Sequence, residues 1–135
     1  NIVMVDTAHF ARVAGNRRAQ NMVTVGAASP MLDFEEDRML NFVEKLFARK
    51  GEKIVTVNQR AFRYGRAAGL FFRAAAEAGM QKTIALRLLN KFDPETIDAA
   101  HAPAWANAIN NDKEKMETVL AHEGHLPCSP VPVFA

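Results

Sequence analysis

The chain has 135 residues, of which 49% are hydrophobic and 24% are charged. That length supports one compact domain with an apolar core and excludes two large ones. The net charge of +2 does not demand a nucleic acid partner, the single cysteine excludes an internal disulfide, and no apolar run has the length of a transmembrane helix. A reducing, cytoplasmic compartment is the expected location.

The first predicted element is a strand. The continuous apolar run 2–5 is typical of a parallel strand whose two faces are both covered by helices. Asp6 or Thr7 can cap a short helix after it, and Gly15 can end that helix. Because the chain opens at Asn1 almost directly into this strand, we expect a fragment whose upstream portion is missing; a processed or tag-cleaved start is the alternative.

Two helices are predicted next. The first covers residues 20–29, where glycine and alanine around Gly26 would let it approach a sheet or another helix closely. Asp33 followed by Glu36 has capping-box spacing and predicts the start of the second. That helix is the clearest amphipathic segment in the chain, with an apolar face made of Met39, Leu40, Val43, Leu46 and Phe47.

The run 53–57 is a second strand candidate, and Asn58 is a suitable N-cap for a helix that extends to about Ala78. Small residues in that helix again indicate close packing, at positions 61, 65, 68 and 69. The predicted fold class is therefore α/β. It has a partial, mostly parallel sheet with flanking helices, and the N-terminal strands of the sheet are missing.

The chain after Gly79 is predicted to be helical, with an apolar stripe over 84–92 and a helix start at 93–95 that kinks or restarts near Pro103. Asp112 can cap a last helix. Residues 126–135 contain three prolines and predict an extended tail, either of polyproline type or laid along a surface. Its apolar residues indicate docking, with another subunit as the candidate partner.

Three separated blocks carry a family resemblance. The first is residues 3–7, where a predicted strand leads into a helix, and the second is the N-x-x-x-x-G-A pattern at 21–27. The third combines F-x-x-K, starting at Phe47, with N-x-x-A-F-x-x-G, ending at Gly65. In order and spacing they are similar to the C-terminal half of the gamma subunit of pyruvate, 2-oxoglutarate and indolepyruvate ferredoxin oxidoreductases. The family's glycine-rich N-terminal turn is absent, and the segment after Gly79 is longer than the usual ending.

This resemblance implies an oxidative decarboxylation that converts a 2-oxoacid and coenzyme A to an acyl-CoA. Thiamine diphosphate, iron–sulfur clusters and Mg are expected in partner subunits or domains (alpha, beta and ferredoxin-like), since one cysteine cannot ligate a cluster alone. The implied division is a C-terminal half of a gamma-type oxidoreductase domain at 1–79, a helical extension at 80–125 and a docking tail at 126–135. No catalytic residue and no metal ligand is expected in this chain.

The candidate binding residues are Arg17, Arg18 and Asn21, beside the predicted start of the second helix. Two guanidinium groups and the backbone N–H groups of a helix N-terminus suit an anion such as the coenzyme A phosphates. The alternative for the arginines is an exposed basic turn or an intersubunit ion pair. For Asn21 and Asn58, which both match family positions, helix capping and turn hydrogen bonding are the favoured roles.

Two further groups of residues could form a metal site or a DNA-binding surface, but a structural role is favoured for each. His122, His125 and Cys128 could bind zinc, yet no fourth strong ligand lies nearby in the sequence, so a surface turn is favoured. A basic edge could contact DNA, but a solvated or subunit-facing surface is commoner, and the arginines concerned are Arg60, Arg63, Arg66 and Arg73. The rival function is a non-enzymatic helical module for protein–protein interaction.

Overall fold

A computed structural model describes residues 2–93 and 99–123. This part of the chain contains seven α-helices. They are α1 (Thr7–Ala14), α2 (Gln20–Ala28), α3 (Glu36–Phe47), α4 (Glu52–Glu77), α5 (Lys82–Leu89), α6 (Ala102–Asn110) and α7 (Lys113–Ala121).

The predicted α/β class is wrong, because residues 2–93 and 99–123 form helices and no strand or sheet. Residues 2–5 have no regular secondary structure; Val3 and Val5 are partly buried against the core, while Ile2 and Met4 are exposed. A continuous apolar run does not distinguish a buried strand from a segment that packs along a helical core.

The second predicted strand forms the beginning of α4. Gly51, with a φ of 98°, turns the chain so that the helix can start at Glu52. Val57 then joins a buried series that recurs at helical spacing through Ala61 and Ala68. The strand preference of β-branched residues amounts to less than about 1 kcal/mol per residue, so the packing of a long buried helix overrides it.

Helix α4 is the central element of the fold, with 26 residues and packing contacts to α1, α2, α3, α5 and α6. An aromatic chain joins its C-terminal half to the later helices. The ring centroids of Phe71 and Phe92 are 5.3 Å apart, and those of Phe92 and Trp105 are 5.8 Å apart. The segments before and after Gly79 therefore share one apolar core.

Helices α2 and α4 touch through their backbones. A Cβ atom placed on Gly26 would lie 2.1 Å from the carbonyl oxygen of Phe62, and one placed on Gly65 would lie 2.1 Å from that of Val23. One on Gly69 would lie 2.8 Å from the carbonyl oxygen of Ala27. The close packing predicted from the small residues is therefore present, between two helices.

The helix caps follow the sequence in part. Asp6 caps α1 by accepting a hydrogen bond from the backbone N–H of His9, and Asp112 caps α7, as predicted. The capping box at Asp33 does not form, because Asp33 has a φ of 61° and the N-cap of α3 is Glu35, without a side-chain cap bond. Asn58 is not a cap either, since it lies inside α4.

Helix α6 begins at Ala102 with Pro103 in its first turn, which confirms the predicted restart. The helix start at 93–95 lies mostly outside the described residues. The predicted tail at 126–135 lies entirely outside them.

The glycine crossing predicts a graded effect of added methyl groups. Gly65→Ala should destabilise the fold by about 3 kcal/mol, because the new Cβ forces two backbones apart. Gly69→Ala should cost about 1 kcal/mol, since its contact is longer and alanine favours the helix. Urea unfolding measures both. Arg63→Ala on the exposed side of α4 is the control, and equal effects at Gly65 and Arg63 would contradict the crossing.

Candidate functional site

The start of α2 holds the three residues predicted to meet an anion. Arg17 and Arg18 lie in a 3-10 turn, Arg17–Ala19, that runs directly into α2, and Asn21 lies in the first turn of that helix. All three side chains are exposed. The three residues therefore lie within about one turn of the start of α2, and their side chains face solvent.

Part of the backbone at this helix start is already used. The side-chain Oδ1 of Asn16 accepts a hydrogen bond from the N–H of Arg18 at 2.9 Å. The backbone carbonyl oxygen of Asn16 accepts one from the N–H of Ala19 at 3.0 Å. An anion here would consequently meet the arginine side chains rather than these two amides. Because the arginines are exposed, their attraction is screened by salt and modest per contact.

The start of α1 lies beside the start of α2. The hydroxyl of Thr7 donates a hydrogen bond to Oε1 of Gln20 at 3.2 Å, and the carboxylate of Asp6 caps α1 next to that contact. The surface thus combines two cations with a nearby carboxylate. Such a surface can recognise a phosphate-bearing ligand or an ion-paired partner.

The arginine row on α4 does not form a continuous basic face. Nη1 of Arg66 donates to Oγ of buried Ser29 at 2.8 Å and to the carbonyl oxygen of Phe34 at 2.9 Å. Arg73 pairs with Glu77, one helical turn later, at 3.3 Å. Arg66 therefore holds the end of α2 and the following loop in place, and it is not presented to a nucleic acid.

Asn58 also has a structural role. Its side chain is buried within α4, and Nδ2 donates to the carbonyl oxygen of Ile54 at 2.9 Å. The side chain is satisfied by the preceding turn of the same helix. Asn58 thus makes a hydrogen bond within the helix instead of the predicted capping bond.

An open cleft of about 620 Å³ lies between the N-terminal segment and the C-terminal half of α4. Its charged lining is balanced, with two cations and two carboxylates contributed by Arg73, Lys82, Asp33 and Glu77. Apolar side chains complete it. Sequence reasoning missed this cleft, because its walls come from three segments that are far apart in the chain.

Helix α3 presents an apolar surface to solvent. Only Val43 of this helix is buried, while Phe42 and Leu46 are 57% and 55% exposed. Phe34 and Leu32, just before the helix, are 48% and 57% exposed. The amphipathic pattern predicted for α3 is therefore real, but α4 covers only part of its apolar residues.

The proposed zinc ligands fall largely outside the described chain. His122 is described, and its carbonyl oxygen accepts a hydrogen bond from Nζ of Lys91 at 2.5 Å. His125 and Cys128 lie beyond the described residues. Within residues 2–93 and 99–123, no three histidine, cysteine or acidic side chains are grouped to hold a metal ion. In that same part of the chain, no helix combines the length and apolar character needed to cross a membrane.

Comparison with known families defines the class of protein. A sequence model of the family described as pyruvate ferredoxin/flavodoxin oxidoreductase matches residues 1–68, just over half of the chain. The matched segment contains α1, α2, α3 and the part of α4 that crosses α2. The chain belongs to this oxidoreductase family. No curated protein and no solved structure gave a significant match.

The contact between Ser29 and Arg66 yields a second stability prediction. Ser29→Ala should cost about 2 kcal/mol, because it removes one partner of a part-buried guanidinium and the hydroxyl bond to the Gly26 carbonyl. Arg66→Lys should cost a similar amount, since the shorter lysine side chain does not reach the two acceptors that Nη1 of Arg66 serves.

The matched control is Arg63→Lys, because Arg63 is exposed on the same helix. Its free energy of unfolding in urea should stay within about 0.5 kcal/mol of the parent value. If Arg66→Lys changed the free energy of unfolding as little as this control does, Arg66 would have no positioning role.

Proposed function

We propose that this chain is the gamma component of a thiamine-diphosphate-dependent 2-oxoacid:acceptor oxidoreductase, in which it has a structural role on the coenzyme A side. The observation that carries the proposal is the family match over residues 1–68, the same segment in which the three gamma-like blocks occur. The reaction would be oxidative decarboxylation of a 2-oxoacid to an acyl-CoA.

The positions of the block residues support a scaffolding role. Gly26 and Gly65, which belong to two of the blocks, form the backbone crossing of α2 and α4. Asn58 is used within α4, and Phe62 is fully buried. Residues that match the family pattern thus build the fold, so the chemistry is assigned to partner components.

The residues of this chain do not fit an iron–sulfur cluster. Such clusters are held by four ligands, mostly thiolates, whereas the chain has one cysteine. We therefore assign the clusters, thiamine diphosphate and its Mg to partner alpha, beta or ferredoxin-like subunits or domains. This chain would supply surfaces that hold those components and the coenzyme A end of the substrate pair.

Within that role, Arg17, Arg18 and Asn21 would contact phosphate groups of coenzyme A. The two guanidinium groups are exposed at the start of α2, where the helix dipole adds to their attraction for an anion. Asn21 would add one neutral hydrogen-bond donor. The contacts would contribute to binding and not to the chemical step.

The assembly is tested by producing the chain together with the catalytic subunits of a 2-oxoacid oxidoreductase from the same organism. The chain should co-purify in a brown complex that contains thiamine diphosphate and reduces a viologen dye when a 2-oxoacid and coenzyme A are both supplied. A catalytic complex that forms and retains full activity without this chain would overturn the proposal.

The anion contact gives a kinetic prediction in that complex. Arg17→Ala combined with Arg18→Ala should raise the KM for coenzyme A about tenfold and leave kcat nearly unchanged, because about 1.4 kcal/mol of ground-state binding is lost. The parent KM should also rise more steeply with salt than the variant KM.

Arg87→Ala, an exposed charge on α5, is the control for a general loss of positive charge. Its KM for coenzyme A should match the parent. An unchanged KM in the double variant would remove Arg17 and Arg18 from the coenzyme A site, while leaving the assembly role to the co-purification result.

A further inference from the structure

The outer side of α3 is an apolar surface without a cover in the described chain. Phe42 and Leu46 lie one helical turn apart and are each more than half exposed, and Phe34 and Leu32 extend the surface at the start of the helix. We call these four residues the α3 apolar face. An amphipathic helix normally buries its apolar stripe, so this face is suited to a partner.

The size of the face agrees with a weak to moderate interface. Four large side chains that each expose about half of their surface present roughly 400 Å² of apolar area. A standard stable interface buries about 800 Å² on each partner, with a polar rim around the apolar centre. The face can therefore form the centre of such an interface, with the charged residues beside it forming the rim.

The charges beside the face are ordered along the helix. Its N-terminal end has a net negative charge, with Glu35, Glu36 and Asp37 against Arg38, and its C-terminal end has a net positive charge, with Lys45, Arg49 and Lys50 against Glu44. Phe42 lies midway, seven residues after Glu35 and seven before Arg49. The Cα atoms of Glu35 and Arg49 are thus each about 10 Å along the helix axis from that of Phe42, given the rise of a helix.

We propose that the α3 apolar face binds the same face of a second copy of this chain, with the two α3 helices antiparallel about a two-fold axis at Phe42. In this arrangement Glu35 of each copy meets Arg49 of the other, and the two Phe42 rings meet at the axis. A two-fold contact pairs one patch with the same patch of the other copy, so each negative end must face a positive end. The antiparallel arrangement of the two α3 helices meets this condition.

The antiparallel register also covers the flanking apolar residues. Reversal about Phe42 sets Leu46 of one copy opposite Arg38 of the other, and Met39 opposite Lys45. The aliphatic stems of these long side chains can lie over the apolar groups while their charges stay in water. A parallel pairing would instead place acidic ends together and basic ends together.

Hydrogen bonds to α4 hold the backbone of the face in place in the monomer. Nε2 of Gln59 in α4 donates to the carbonyl oxygen of Leu40 at 3.1 Å, and Arg66 fixes the carbonyl of Phe34 at 2.9 Å. The segment before α3 and the middle of α3 are therefore tied to the central helix. Little backbone ordering is needed on association, which favours binding by a surface of this size.

The proposal concerns the chain itself and does not rest on the oxidoreductase role. Sedimentation velocity of the purified full chain should show a monomer of 14.9 kDa at low concentration that converts to a dimer with a Kd of about 10 µM. A chain that remains monomeric at about 200 µM would overturn the proposal.

Phe42→Ser tests the centre of the face. The dimer Kd should rise at least tenfold, while the circular dichroism and the urea midpoint stay near the parent values, because Phe42 is exposed in the monomer. Asn41→Ser, an exposed neighbour away from the apolar face, should leave the Kd unchanged. An unchanged Kd for Phe42→Ser would place any dimer contact elsewhere.

The register is tested by mixing two charge variants. Glu35→Arg alone and Arg49→Glu alone should each dimerise weakly, because each homodimer opposes like charges twice. An equimolar mixture should dimerise about as well as the parent, since each contact then joins opposite charges. A mixture that dimerises no more tightly than either variant alone would overturn the antiparallel register.

A different occupant of the face is a separate outcome. A monomeric parent that binds an oxidoreductase subunit through Phe42 would assign the face to that subunit and overturn the second-copy proposal.

Discussion

The fold depends on the backbone contact between α2 and α4. With no Cβ at Gly26 or Gly65, each helix places a carbonyl oxygen where a side chain would otherwise stand. This fixes the end of α2 against the middle of α4, which brings Ser29 within hydrogen-bond distance of Arg66. Arg66 then holds the loop that leads into α3. The position of α3, and of its apolar face, follows from a crossing of two glycine-bearing helices.

The same crossing accounts for part of the family pattern. Among the block residues, Gly26 and Gly65 bring two helices together and Phe62 is buried beside them, whereas Asn21 and Lys50 are exposed. The outward features are the exposed arginines at the start of α2 and the α3 apolar face. The exposed arginines and the α3 apolar face thus lie outside the buried positions that carry the family pattern.

The two predicted strands show where local pattern stops being informative. Residues 53–57 are β-branched and apolar, but they continue the buried series of α4, so the long helix includes them. Residues 2–5 pack two valines on the core without regular structure. In both cases a short apolar run indicated burial correctly and secondary structure wrongly, because several backbone conformations can bury the same side chains.

By itself, the sequence determined most of the helices, the aspartate caps of α1 and α7, and the small-residue spacing that requires a close approach. These features depend on residues within a few positions of each other. Only the tertiary structure decided that the close approach is to a helix, that Arg66 turns towards Ser29, and that α3 leaves Phe42 and Leu46 uncovered. Ser29 and Arg66 are 37 positions apart. No local periodicity encodes such a contact, since it exists only once the helices have packed.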